Sequence, residues 1–340
     1  MDIPQLPVLS QKSPCCPNTE EPKAVPLSTA NVATTLAPAD QLWSTSRDKA
    51  VRLRMEGSGS ASSTPITIHQ MFLETVESYG DHSALVYKKE GQWVTITWRQ
   101  YYEQCRAAAK SFLKLGLERY HGVGILGFNS PEWFISDVGC IFAGGLVKDQ
   151  LPHLKAIVQY KGELQQKAPF LYTWAEFMKL GEDLPEEQLN AMIESLRANE
   201  CCTLIYTSGT TGNPKGVMLS HDNLTWTANA ALSMANINRA EEVVVSYLPL
   251  SHVAAQMFDM WMSISVAMTT YFAEPDALKG SLVNTLKEAR PTCFLGVPRV
   301  WEKMQEKMKA VGAKASPMRK RLADWVKSIG LQYNYSVMNG

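Results

Sequence analysis

From about residue 65 onward, two hydrophobic rhythms alternate along the chain. Residues 84–87 and 93–97 are short β-rich runs on either side of Glu90-Gly91, a pattern that predicts a hairpin. Residues 101–115 carry apolar side chains at helical spacing and stop at Gly116, which predicts a helix ended by glycine. Residues 122–128 read as an apolar strand. Asn129-Ser130-Pro131 then offers a cap and a first-turn proline to a helix running to Ala143. Apolar runs at 204–206 and 217–219 bracket a polar loop, and runs at 243–247, 269–273 and 292–297 read as buried strands. Helices near 221–235, 276–289 and 298–311 separate them. Strand–helix alternation of this kind predicts an α/β sheet, and there is no internal repeat.

Residues 1–45 break the rhythm. They hold seven prolines and little apolar periodicity, which predicts a disordered tail. Residues 43–55 read as a short extended element and 57–64 as a Gly/Ser-rich flexible loop. The apolar stretches 134–147 and 253–268 are interrupted by Asp137 and by Gln256 and Asp259, so neither predicts a membrane span. The N-terminus lacks the basic-then-apolar order of a signal peptide.

Composition narrows the class. Of 340 residues, 45% are apolar, enough for a sizeable core. Lys+Arg and Asp+Glu are both 33, which argues against a generally basic nucleic-acid binder. Cys15, Cys16, Cys105, Cys140, Cys201, Cys202 and Cys293 show no zinc-type spacing. Their odd number and core-like settings fit reduced thiols inside a cell. Cys15 and Cys16 read as an exposed thiol pair, with palmitoylation as the alternative.

The chemistry concentrates in Thr207, Ser208, Gly209, Thr210, Thr211, Gly212, Asn213, Pro214, Lys215 and Gly216. Glycines let backbone N–H groups converge on an anion, four hydroxyls add donors, and Lys215 adds a full charge. Walker A spacing does not fit, because Pro214 stands where its second glycine would be and Gly216 follows the lysine. The dinucleotide glycine pattern does not fit either, because Gly209 and Gly212 are three apart.

Tyr206 together with this loop resembles the phosphate-loop signature of the adenylate-forming, or AMP-binding, enzymes. Five further stretches narrow the resemblance: Gly-Val-Met-Leu-Ser-His-Asp-Asn-Leu at 216–224, Ser-Tyr-Leu-Pro-Leu-Ser-His-Val at 246–253, Gly-Val-Pro-Arg-Val-Trp-Glu-Lys at 296–303, Leu-Lys-Leu-Gly-Leu-Glu-Arg at 113–119 and Ile-Leu-Gly-Phe-Asn-Ser-Pro-Glu-Trp-Phe at 125–134. Together, over roughly residues 40–340, they are similar to the bubblegum branch of long-chain and very-long-chain fatty acyl-CoA synthetases. The resemblance implies the large N-terminal domain of that α/β fold, with residues 46–340 as part of the adenylation domain. It implies ATP-dependent activation of long-chain fatty acids to acyl-adenylate, then transfer to coenzyme A. ATP, Mg²⁺ and coenzyme A are the implied co-substrates, with residues 207–215 on the β- and γ-phosphates. His252 matches a position lining the carboxylate end of the acyl site. Met257, Phe258, Met260, Trp261 and Met262 then offer either an acyl tunnel or a plain core helix. A related bacterial enzyme has a gating tryptophan where this chain has Gln256, so no gate is implied. The implied location is cytoplasmic, with peripheral contact at the endoplasmic reticulum open. Residues 299–327 hold nine basic and three acidic side chains, either a face for anionic lipid or a solvated one.

The chain departs from the family in two places. After Gly144-Gly145 the family continues through a further β–α–β passage, whereas here residues 146–150 lead straight to the segment at 151–158. A unit of about 30 residues is missing, which predicts a weakened fold with an exposed strand edge. The family's adenine and Mg²⁺ motif, ribose aspartate, hinge and catalytic lysine have no match up to Gly340. That predicts no complete catalytic set and no metal site in this chain. The alternative to a ligase is therefore an inactive form that binds nucleotide or lipid at most.

Overall fold

The computed structural model describes residues 36–59, 62–147, 154–207, 214–235 and 237–338. Most of the expected tail, including Cys15 and Cys16, lies outside them. From residue 36 the tail is tied down: the buried Asn199 side chain accepts from Ala37 N at 2.8 Å and donates to Ala37 O and Val51 O. Residues 43–55 form no strand. Their backbone is spent on such isolated contacts, with Val51 N donating to Asn199 O.

Helix α1 (Ile68–Tyr79) starts at a Thr67/Gln70 capping box. The expected hairpin follows as β1 (Ser83–Lys89) and β2 (Gln92–Thr97). Its turn has Glu90 and Gly91 both at positive φ, 52° and 80°, the primed geometry that matches strand twist. Helix α2 (Trp98–Lys114) opens on a second capping box, Thr97 with Gln100. Strand β3 (Gly122–Val123) leads to α3 (Pro131–Phe142), capped by Ser130 with Pro131 in the first turn. Then come β4 (Leu146–Val147), β5 (Ile157–Gln159), β6 (Leu171–Thr173), α4 (Trp174–Leu180), α5 (Glu186–Ser195), β7 (Cys201–Thr207), β8 (Lys215–Ser220) and α6 (His221–Met234). Strand β9 (Val243–Ser246) precedes α7 (Val253–Gln256), a π-helical stretch (Met257–Met262), α8 (Ser263–Val266) and β10 (Thr269–Phe272). The chain continues through α9 (Leu282–Ala289), α10 (Pro298–Ala313) and α11 (Pro317–Met338).

Two four-stranded sheets carry the core, in the orders β2-β1-β10-β9 and β3-β4-β7-β8. In the first, β1, β10 and β9 are parallel, with β2 antiparallel on β1. In the second, β3, β4 and β7 are parallel and β8 turns back on β7. Strands β5 and β6 pair separately. One large apolar cluster joins α1, α2, α3, α6 and the 253–268 segment, with Trp98, Phe72, Phe142 and Trp261 fully buried.

Three sequence expectations need correction. The strand expected over 122–128 pairs only at Gly122 and Val123. Beyond it Leu126 is 95% and Phe128 64% exposed. No neighbour strand lies outside β3 among the described residues, and β4 on its inner side is described only as far as Val147. The strand expected at 292–297 does not form. Thr292 N and Cys293 N both donate to one carbonyl, Val243 O, so no ladder can propagate. Phe294 instead stacks on Tyr247, with centroids 5.3 Å apart. The helix expected over 276–289 is broken at Gly280, whose φ of 141° is outside helical space, and α9 begins only at Leu282.

Candidate functional site

Strands β7 and β8 form a hairpin whose ladder runs from Cys201↔Ser220 to Thr207↔Lys215. Its apolar and β-branched residues, Leu204, Ile205, Tyr206 and Val217, make it a strand pair. Gly216 lies under the Tyr206 ring, where a Cβ would come within 3.2 Å of a ring carbon. Thr207 and Lys215 face each other across the mouth of the loop, and both are exposed. Pro214 is exposed beside them. Ser208, Gly209, Thr210, Thr211, Gly212 and Asn213 lie outside the described residues. No ion pair among the described residues engages Lys215. Its ammonium is therefore available to an anion held by the loop.

His252 is the N-cap of α7. Its Nδ1 accepts from Ala254 N at 3.1 Å, so in the neutral ring Nε2 carries the proton, and the side chain is exposed.

The topology puts the two groups at one end of the molecule. Because β3, β4 and β7 are parallel, the loop after β3 and the loop after β7 leave the same edge of their sheet. Asn129, in the loop after β3, donates from Nδ2 to Ser246 Oγ at 2.9 Å and to Leu248 O at 2.8 Å. Those acceptors begin the segment that runs from β9 to His252. Both sheets thus present their carboxyl-terminal loops on one side, the usual place for ligands in open α/β sheets.

A buried polar network supports the His252 segment. Gln256 donates from Nε2 to Leu250 O at 2.7 Å, while its Oε1 has no partner among the described residues. Asp259, on the π-helical stretch, is nearly fully buried, and burial pushes its carboxyl up to about 7, opposed by the Ser246 hydroxyl. Its Oδ2 is also unpartnered among the described residues. Gln256 is thus a brace for the loop carrying His252. Met260, Trp261 and Met262 belong to the main core, and Met257 and Phe258 pack half-buried against it. The first three take the core reading, not the tunnel one.

The bridging role of Asn129 has no signature in the sequence, because its partners lie more than a hundred residues away. Its place in the cap motif was the only signal, and Ser130 makes the cap bond, leaving Asn129 free to bridge.

The model of the family described as AMP-binding enzyme matches residues 72–156 and 147–332. The two pieces meet at 147–156, where the sequence lacks its β–α–β passage. The chain is 57% identical over 341 residues to a Xenopus laevis protein named long-chain-fatty-acid-CoA ligase ACSBG2, a match covering 88% of this chain and 46% of the relative. It is 51% identical over 375 residues to the Gallus gallus protein of that name, covering 98% and 49%. It is 48% identical over 339 residues to the Homo sapiens long-chain-fatty-acid-CoA ligase ACSBG1, covering 88% and 46%. The chain therefore spans about half the length of the curated relatives it matches. The frog match is longer than the share of this 340-residue chain it uses. The relative thus has on the order of 40 residues with no counterpart here, about the size of a β–α–β unit.

Among solved structures, the adenylation domain of a Mycobacterium chelonae carboxylate reductase superposes with a TM-score of 0.59 at 19% identity, covering 76% of this chain and 50% of that one. A mutant o-succinylbenzoate CoA synthetase from Bacillus subtilis gives 0.55 at 18% identity, covering 70% and 50%. At these identities the likeness is one of fold.

Proposed function

The chain belongs to the AMP-binding enzyme family, and from that premise we propose that it serves the ATP-dependent activation of long-chain fatty acids to acyl-CoA. Residues 46–340 are then part of the adenylation domain, and 1–45 a tail. Thr207, Ser208, Gly209, Thr210, Thr211, Gly212, Asn213, Pro214 and Lys215 hold the β- and γ-phosphates of ATP. The observation that carries this is the hairpin itself: a loop rich in donors, closed by Thr207 opposite the exposed Lys215, at the carboxyl end of parallel strands. When a fatty carboxylate attacks the α-phosphate, negative charge collects on the departing pyrophosphate, and donors already in place lower that barrier. His252 lines the carboxylate end of the acyl site and donates from Nε2. Coenzyme A takes the acyl group in the second step.

Among the described residues no group of three His, Cys, Asp or Glu could hold a metal ion. Mg²⁺ enters with ATP, as Mg-ATP. No helix among the described residues is long and apolar enough to cross a membrane. We place the protein in the cytoplasm, in peripheral contact with the endoplasmic reticulum, because its substrate partitions into bilayers.

Palmitate-dependent ATP–pyrophosphate exchange tests the reading. The ligase reading predicts exchange in the wild type that falls about 10- to 100-fold in Lys215→Ala, the value of one charge-assisted contact. Exchange that Lys215→Ala leaves untouched removes the loop from the mechanism. A second reading, in which the chain only binds nucleotide or lipid, is favoured by the unpaired run after β3 and the interrupted family match. It predicts ATP binding without exchange.

A further inference from the structure

Val300 is the last buried residue among those described. It anchors the first turn of α10 in a small cluster with Val245, Tyr247 and Leu282, and Trp301 Nε1 donates to Gly296 O at 2.8 Å. Beyond that turn, no described residue of α10 or α11 is buried, although α11 is a 22-residue helix. The exposure is not polar throughout. On α11, Leu331, Tyr335 and Met338 are exposed on one face, and Met318, Leu322, Trp325, Val326, Ile329, Tyr333 and Val337 are exposed on the other. At 3.6 residues per turn the latter seven fall on one stripe roughly 120° wide. Arg319 and Arg321 stand at its two borders, while Asp324 and Lys327 fall on the opposite face. On α10, Trp301, Met308 and Val311 are exposed on one side.

We propose that the α10–α11 arm is a docking surface for the anionic face of a lipid bilayer. Charge selects that occupant. Residues 299–327 carry nine basic and three acidic side chains in a chain whose overall formal charge is zero. The apolar stripe is rimmed by guanidinium groups, an arrangement that seats apolar residues at the acyl boundary while arginines meet phosphate and carboxylate headgroups. Trp325 and Tyr333 suit that depth, with an apolar ring body and one polar atom. A face built to cover another protein core has little use for a cationic border. The proposal rests on the peripheral-membrane reading above and adds to it the surface and the headgroup charge.

Flotation of the full chain with phosphatidylcholine vesicles, with and without phosphatidylserine, tests it. The wild type should float with the anionic vesicles, weakly with the neutral ones, and less as salt rises. Arg319→Glu with Arg321→Glu, and separately Leu322→Ser with Trp325→Ser, should each cut anionic binding at least tenfold. All four side chains are exposed, so the fold should survive, which a circular dichroism melt checks. If both variants float as the wild type does, the surface is wrong while the membrane reading stands. If the wild type does not float, both fail. If it sediments as a dimer that Leu322→Ser with Trp325→Ser turns into monomer, a second copy covers the stripe and the lipid proposal is overturned.

Discussion

The purified monomer is expected to unfold in a broad, weakly cooperative transition below about 50 °C, near the low end for ordinary domains, and to bind a hydrophobic dye while still folded. The cause is local. Strand β3 stops at Val123 although the apolar run continues, and Leu126 and Phe128 stand in solvent. Leu154, Ile157 and Phe170, on and beside the small β5–β6 pair, are exposed as well. Tyr160 lies across Gly127 so closely that a Cβ there would meet its hydroxyl at 1.4 Å, so a single side chain packs against this run. These five apolar side chains left uncovered forfeit about 1.5–3 kcal/mol each, so the total is on the order of 10 kcal/mol against a usual domain stability of about 5–15 kcal/mol. The free edge also invites pairing between molecules. A sharp transition above about 50 °C with no dye binding would show that the gap has been repaired by contacts other than these.

Asp137→Asn should stabilise the folded chain at neutral and alkaline pH by a few kcal/mol and flatten its pH dependence. Asp137 sits on α3 with no exposed surface, and neither carboxyl oxygen has a hydrogen-bond partner among the described residues. Burial pushes its carboxyl from 3.8 up to about 8. Its described neighbours do not offset this: the Tyr101 phenol and the Cys105, Cys140 and Cys202 thiols are buried nearby, each held neutral by desolvation with Asp137 adding to the effect. The folded chain therefore keeps a proton that the unfolded chain releases near pH 4. Between about pH 4 and pH 8 the native state binds more protons, so stability falls as pH rises through that window. Asp259, raised to about 7, adds a contribution of the same sign. Every tenfold difference in proton affinity between the two states is worth about 1.4 kcal/mol. The gain is reduced by the cost of a buried asparagine amide, about 1–3 kcal/mol. Melting curves at pH 5 and pH 8 check this. The wild type should lose stability between them, and Asp137→Asn should lose much less. Equal losses would place the titration elsewhere.

What could be read from the sequence was what neighbours in the chain decide. The Glu90-Gly91 turn and the Ser130-Pro131 helix start depend on residues a few positions apart, and both formed where expected. Features set by distant partners were not legible. The extent of β3 is set by its pairing with β4, a partner distant in the chain, and the run 122–128 reads as a strand with or without that partner. The π-helical stretch at Met257–Met262 shares its composition with an α-helix. Gln256 as a brace for Leu250, and Asn129 as a tie between the two sheets, depend on carbonyls that only folding brings within reach.

A hairpin closed by Thr207 and Lys215 that holds the phosphates of ATP must bind Mg-ATP whether or not the rest of the reaction proceeds. Equilibrium dialysis of the full chain against Mg-ATP reads this binding without any need for turnover. Binding should be saturable, and Lys215→Ala should weaken it about 10- to 100-fold, the loss of one charge-assisted contact. Equal affinity in wild type and Lys215→Ala, or no saturable binding by the folded wild type, would rule out phosphate binding by this hairpin.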